Sequence, residues 1–317
     1  MKHLWKRAAE LARCPDSTGY KDWGSVLSPT LFLMYINELL EITSNPIYSF
    51  ADDSTFVSCM EPGKPLSSQE TVCRRQQHAS QLNADIKTIV EWGLANKVQF
   101  NKKTKTQATA LTKKSHDGLP TVEMEGDPIV ESPSVKLLGI NSNNNMSCHD
   151  HVVSVAKTAS QKLGVLFPCR KLYTPEQLLL LYKAQIRRSL EYCSHVWGCA
   201  PKHSLKLLDT MQKRAIRSID TPNLTKDLHS LEDRRRVADL SLFYRFYHGR
   251  CSSELSRIIT PKAVRTKNTR EALRAHPYQV EVLTPRTSLL QHSFFWRTST
   301  LWNQLPGNLF PAGYNLQ

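Results

Sequence analysis

The chain lacks any apolar run approaching the ~20 residues that a membrane-crossing helix requires, so nothing in it reads as a span. Its first residues, Met1-Lys2-His3-Leu4-Trp5-Lys6-Arg7, lack the apolar segment of a secretory start. Both absences point to an intracellular protein, cytoplasmic or nuclear, whose eight cysteines stay reduced. No Cys-x-x-Cys pair occurs, which removes the commonest zinc spacing. Two looser clusters remain: Cys193, Cys199 and His203 with His195 nearby, and Cys148, His149 and His151. Each has enough ligands for a zinc ion, yet Cys193 falls on the apolar stripe of a helix and packing explains both clusters as well. Glycine and proline are modest, 12 and 17 in 317 residues, and hydrophobic content is 40%, which reads as globular rather than disordered. No internal repeat stands out.

Acidic residues are the scarcer charge, 28 against 42 basic ones, for a net of +14. The excess is lopsided. Residues 1–150 hold 16 Lys+Arg against 17 Asp+Glu, and residues 151–317 hold 26 against 11. A surface of that sign attracts phosphate backbones and makes their binding salt-dependent. A merely solvated basic face gives the same count.

Among the acids, Asp52 and Asp53 stand out. Ile47, Tyr48 and Phe50 precede them, and Phe56 and Val57 follow. Adjacent carboxylates between two short β-prone runs read as the tip of a hairpin, where they either mark a polar turn or hold divalent cations. Before them, Gly24-Ser25-Val26-Leu27-Ser28-Pro29 runs into an apolar helix, with Ser28 suited to the cap and Pro29 to the first turn. Phe32, Tyr35 or Ile36, and Leu39 recur at helical spacing.

Taken together, the Gly-Ser-Val-Leu-Ser-Pro-Thr-Leu-Phe segment and the Phe50-Ala51-Asp52-Asp53 hairpin resemble the reverse transcriptases of non-LTR retrotransposons, jockey-like in flavour. Further stretches carry the resemblance: Trp92-Gly93-Leu94-Ala95-Asn96, Leu137-Leu138-Gly139-Ile140 as the start of a primer-gripping strand, Leu190-Glu191-Tyr192, and Leu301-Trp302-Asn303-Gln304-Leu305-Pro306. It implies an α+β fold: the C-terminal half of a polymerase palm, an antiparallel sheet with helices, over residues 24–150. A helical thumb over 151–220 and a basic C-terminal region over 221–317 follow, behind a non-matching basic leader over 1–23. It also implies Mg²⁺ held by Asp52 and Asp53, and Gly24, Ser25 and Ser28 lining the template and nucleotide site. Lys103 or Lys105 meets the leaving pyrophosphate, although a solvated basic turn reads alike. The partners implied are an RNA template, a DNA primer duplex and deoxynucleoside triphosphates.

Two departures shape the functional expectation. Trp23 stands where the family has glutamine, and the family's first catalytic aspartate lies on a strand upstream of the Gly-Ser pair. Here the acids before Gly24 are Glu10, Asp16 and Asp22, none in an apolar β-prone run, and residues 1–13 read as a short basic helix. Losing one bridging carboxylate leaves two close dications poorly neutralised. The expectation is a fragment of an RNA-directed DNA polymerase, inactive by itself. The alternatives are a non-catalytic nucleic-acid-binding remnant and an unexpressed relic.

The rest of the chain reads more simply. A helix is expected from about Ser68 to Asn96, strands at 108–112, 121–127 and 135–140, and an Asn-rich connection at 141–145. From His151 the period becomes helical: Val152, Val155 or Ala156, Ala159, Leu163 and Leu166 form one stripe, and Leu178, Tyr182, Ile186, Leu190, Cys193 and Trp197 a second. A third helix turns Leu208, Met211, Ala215 and Ile219 inward and leaves Lys206, Lys213 and Arg217 outward on a shared basic face, which suits the nucleic-acid grip of a thumb and equally suits a plain helical bundle. A fourth begins at Arg234-Arg235-Arg236 with Val237, Leu240, Tyr244 and Tyr247 packing. Tyr278, Arg286, Phe295, Trp296 and Arg297 serve either as stacking groups for single strands or as core.

Overall fold

A computed structural model describes residues 27–59, 68–101, 106–111, 121–262, 276–282 and 284–310. Gly24, Ser25, Lys103, Lys105 and the leader helix lie outside the described residues. The chain is α+β and divides into two compact units, residues 1–135 and 136–317.

The first unit opens with α1 (Ser28–Ile36), continued by a 3₁₀ turn, Asn37–Glu41. Its N-cap is Leu27, without a side-chain cap bond, so Ser28 is the first helical residue rather than the cap. Pro29 sits in the first turn, where its missing N–H costs nothing. Next come β1 (Ile47–Phe50) and β2 (Asp53–Phe56), antiparallel from Ile47↔Phe56 to Phe50↔Asp53. The long helix α2 (Ser68–Asn96) follows. Ile36, Leu39, Ile47 and Trp92 form the buried centre, with Phe32, Tyr35, Phe56, Ile89 and Phe100 packed around it. Gly93 lets the chain fold back against α2, because a Cβ there would stand 2.7 Å from the Phe100 ring and 2.9 Å from the Val98 carbonyl.

Strand expectations needed correcting. In place of one strand at 121–127, β3 (Val122–Met124) and β4 (Asp127–Ile129) pair across Glu125-Gly126, both at positive φ. Residues 106–111 contribute an isolated bridge, Ala108↔Glu131, rather than a strand. The chain passes into the second unit within β5 (Ser134–Leu137), which pairs with β6 (Ile140–Asn143). Leu138-Gly139, expected inside a strand, is the turn between them, at φ 47° and 86°. The Asn-rich connection is partly β6. The strands described thus form three separate two-stranded sheets, not one palm-like sheet.

The second unit is helical: α3 (His149–Cys169), α4 (Pro175–Leu181), α5 (Arg188–Glu191), α6 (Ser194–Trp197), α7 (Lys202–Ile219), α8 (Pro222–Thr225), α9 (Leu231–Tyr247), α10 (Ser253–Ser256), α11 (Ser288–His292) and α12 (Phe294–Asn303). The stripes of α3 and α7 meet, with Val152, Ala156, Ala159 and Leu163 in one core with Leu208, Met211, Ala215 and Ile219, and Val155 and Leu166 partly buried against it. Thr174 and Gln177 close a capping box at the start of α4. The second stripe is broken. A π-helical turn, Tyr182–Arg187, joins α4 to α5, and Cys193 takes a left-handed φ of 51°. Tyr192 donates from its hydroxyl to the Leu138 carbonyl (3.0 Å), and its own carbonyl accepts from the Trp197 indole (2.7 Å), so the helix ends there. Leu178, Tyr182, Ile186, Leu190 and Trp197 are buried all the same, and Cys193 is half-buried.

Helix α9 starts at the Ser230 cap, and its buried side is Leu231, Arg235, Asp239, Phe243 and Phe246. Val237, expected inside, is 63% exposed. Phe243, Val280 and Trp302 centre a second core with Tyr244, Tyr278, Phe294, Phe295 and Phe310 around it. Tyr278 and Phe295 are therefore core, not stacking platforms, and Arg297 is an internal ion-pair partner.

Candidate functional site

The acid pair lies where the sequence places it. Phe50 pairs with Asp53, which leaves Ala51 and Asp52 as a two-residue turn, Ala51 at φ 53°. Both carboxylates are exposed. Ser49 and Ser54 hydroxyls meet at 2.7 Å across the ladder, and Ile47 anchors the base of the hairpin in the core. Tyr48 and Phe50 face outward, 53% and 67% exposed.

Behind the hairpin stands an acid that sequence reading passed over. Asp85 of α2 is 5% exposed and accepts four kinds of bond: from the Ser44 N–H (3.2 Å) and hydroxyl (2.9 Å), and from the Asn45 N–H (3.2 Å) and side-chain amide (2.8 Å). Burial pushes its carboxyl up, but the bonds from Asn45 and Ser44 outweigh burial and hold it below its ordinary value. Asp85 thus fixes the loop that feeds β1. No local pattern in the sequence marks it, because its partners Ser44 and Asn45 lie about forty residues away.

A Mg²⁺ pair of the polymerase kind needs a third acid opposite the hairpin. Among the described residues no group of three or more His, Cys, Asp or Glu is placed to hold a metal ion. Asp52 and Asp53 alone do not complete such a site. Neither loose Cys/His cluster forms a zinc site among those residues. Instead, Cys148 meets Cys199, sulfur to sulfur at 3.1 Å, and the His149 and His203 rings stand 5.6 Å apart.

In the second unit, Lys206, Lys213 and Arg217 are all on the outer side of α7, as expected. None lines a cleft found among the described residues of this unit, which sequence reading missed. It measures about 520 Å³ and lies between the β5–β6 turn, α3 and the α4–α5 segment. Its walls carry three cations, Lys136, Lys162 and Arg188, with the hydroxyls of Ser154, Thr158, Ser189 and Tyr192, and no carboxylate. Lys162 Nζ donates to the Gln185 carbonyl at 2.9 Å, which holds that ammonium at the wall. His151, 5% exposed, accepts from the Asn141 N–H at 3.3 Å, and burial lowers its pKa, so it adds no charge near neutrality. The recurrence Ser154, Thr158, Lys162 every fourth residue of α3 was legible as a polar stripe.

No protein-family model, curated protein or solved structure matches this chain. No helix among the described residues is long and apolar enough to cross a membrane.

Proposed function

We propose that this chain is part of an RNA-directed DNA polymerase of the non-LTR retrotransposon kind, and that it contributes acid-hairpin and nucleic-acid-gripping portions rather than a complete catalytic centre. The observation that carries the reading is the β1–β2 hairpin, an exposed acid pair at a two-residue turn that follows the helix begun by Ser28-Pro29. In a complete polymerase such a pair faces the primer end and the incoming triphosphate, with one more acid opposite. Two exposed carboxylates by themselves bind a hard dication weakly.

Two measurements test it. Titrated Mn²⁺ should broaden the amide resonances of residues 51–53 selectively, and Asp52→Ala should remove the effect. Broadening elsewhere with none at the hairpin sinks the reading. The purified chain should show no primer extension with Mg²⁺ or Mn²⁺. Template-dependent synthesis lost in Asp52→Ala would show that the catalytic set is complete after all.

The cleft favours a second reading, nucleic-acid binding without synthesis. Three cations without an opposing acid suit the phosphates of a backbone, while the Thr158, Ser189 and Tyr192 hydroxyls already donate to main-chain carbonyls. A template–primer duplex retained on a filter at low salt, in a Mn²⁺-insensitive way, would favour this reading over the first.

A further inference from the structure

The thiols of Cys148 and Cys199 come from different elements and meet inside the second unit. Cys148 is the N-cap of α3, and Cys199 follows α6 in the turn that leads to α7. Their sulfurs are 3.1 Å apart and both residues are only half-buried, so a small oxidant reaches them. A shift of about 1 Å brings two sulfurs from that separation to bonding distance. The Cys199 sulfur also lies 3.4 Å from the Val196 carbonyl, which fixes the turn that presents it.

A cation completes the setting. Arg297 of α12 donates to Asp239 (3.0 Å) and to the His195 carbonyl (3.0 Å), which holds its guanidinium near both sulfurs. The hydrogen bond from Cys148, aided by Arg297 and opposed by burial, lowers the Cys199 thiol to about 7. The same bond and burial push the Cys148 thiol up. Arg297 favours the thiolate at both sulfurs, and the directions of the two shifts make Cys199 the one that ionises first.

We propose that Cys148 and Cys199 form a dithiol–disulfide site that a hydroperoxide oxidises and a small dithiol reduces. The Cys199 thiolate attacks the peroxide oxygen, the O–O bond breaks, and an alcohol (or water, from hydrogen peroxide) leaves with the transferred proton. Cys199 is then a sulfenic acid. Cys148 attacks that sulfur, the S–S bond forms and water leaves. Two electrons pass from the two sulfurs to the peroxide. The disulfide ties the start of α3 to the turn before α7, and thiol exchange with a dithiol reductant reverses it. The site is independent of the polymerase reading, so either can fail alone.

The test uses the full chain, reduced, freed of reductant and treated with stoichiometric hydrogen peroxide. Of eight cysteines, six should remain titratable after denaturation, with no cross-link between chains. Peptide mapping should find Cys148 joined to Cys199, and dithiothreitol should restore all eight thiols. The melting midpoint of the oxidised form should rise by about 5 °C or more, because the bond closes a long loop. Cys148→Ser and Cys199→Ala should each abolish both the cross-link and the rise. Cross-links confined to the exposed Cys59 and Cys73, or a two-thiol loss that survives in either variant, would overturn the proposal. Mapping of the unmutated chain decides it even where a variant does not fold.

Discussion

Asp85 shows how much one side chain sets at this scale. Its carboxylate gathers donors from Ser44 and Asn45, and removing it strands those donors in a partly closed loop. Asp85→Asn keeps the size but turns one oxygen into a donor that faces other donors. The expected loss is about 1–3 kcal/mol at neutral pH. The sign of its pH dependence follows from the lowered folded pKa. The unfolded carboxyl binds protons more readily than the folded one, so its stabilisation is full well above the ordinary value of 3.8 and disappears as pH falls through the folded value. Denaturant unfolding of both proteins at pH 7 and pH 3 measures this. The gap between them should shrink at pH 3, and a gap that does not change with pH would show that Asp85 is not held as its ion. The Asp52-Asp53 pair was legible in sequence because it interrupts a β-prone run at a turn. Asp85 was not, because an acid in a helix registers as solvated until its partners, about forty residues away in sequence, are known.

Glycine separates two helices that look alike in sequence. Gly93 in α2 and Gly164 in α3 both sit in helical stretches, where alanine is the better helix former by about 1 kcal/mol. A Cβ at Gly164 meets nothing within 4 Å, whereas one at Gly93 collides with the Phe100 ring and the Val98 backbone. Gly164→Ala should therefore stabilise by about 0.5–1 kcal/mol, and Gly93→Ala should destabilise by about 1–3 kcal/mol through overpacking. Thermal unfolding of the two variants checks both signs. The same sign for both would mean that the return of the chain onto α2 is not as described. Helical stripes were the part of the fold open to reading: α3, α7 and the Thr174 cap depend on local spacing and local hydrogen bonds. What escaped was long-range. The side of α9 turned inward is set by Asp239, which bonds His195 (2.8 Å) and Arg297 (3.0 Å), so a hydropathy pattern choosing Val237 points the wrong way. The break at Cys193 is likewise set by Trp197 and Leu138 drawing on Tyr192, and the turn at Leu138-Gly139 carries a leucine where turn chemistry predicts asparagine.

Across the whole molecule the charge divides at the same place as the fold. Residues 1–135 carry 15 basic against 16 acidic groups, and residues 136–317 carry 27 against 12. A net of +15 on the second unit gives a long-range attraction for any polyanion, and that attraction fades over about 8 Å at physiological salt. Local geometry then has to decide where a backbone is held. Two triple variants separate field from grip, since each removes three positive charges: Lys136→Ala, Lys162→Ala and Arg188→Ala in the cleft, and Lys206→Ala, Lys213→Ala and Arg217→Ala on α7. If the field alone acted, both would weaken binding of a template–primer duplex equally. The cleft cations converge on a concave wall with Ser154, Thr158, Ser189 and Tyr192, while the α7 cations project from the outer side of a helix. Every phosphate that loses its neutralising cation flattens the slope of log affinity against log salt by roughly 0.7–0.9. The cleft variant should therefore lower that slope by about 2–3, and the α7 variant distinctly less. Filter binding across roughly 50–200 mM salt, a range chosen to expose counterion release, reads both. Equal flattening would leave the cleft without a special part in binding, and greater flattening by the α7 variant would move the grip to that helix.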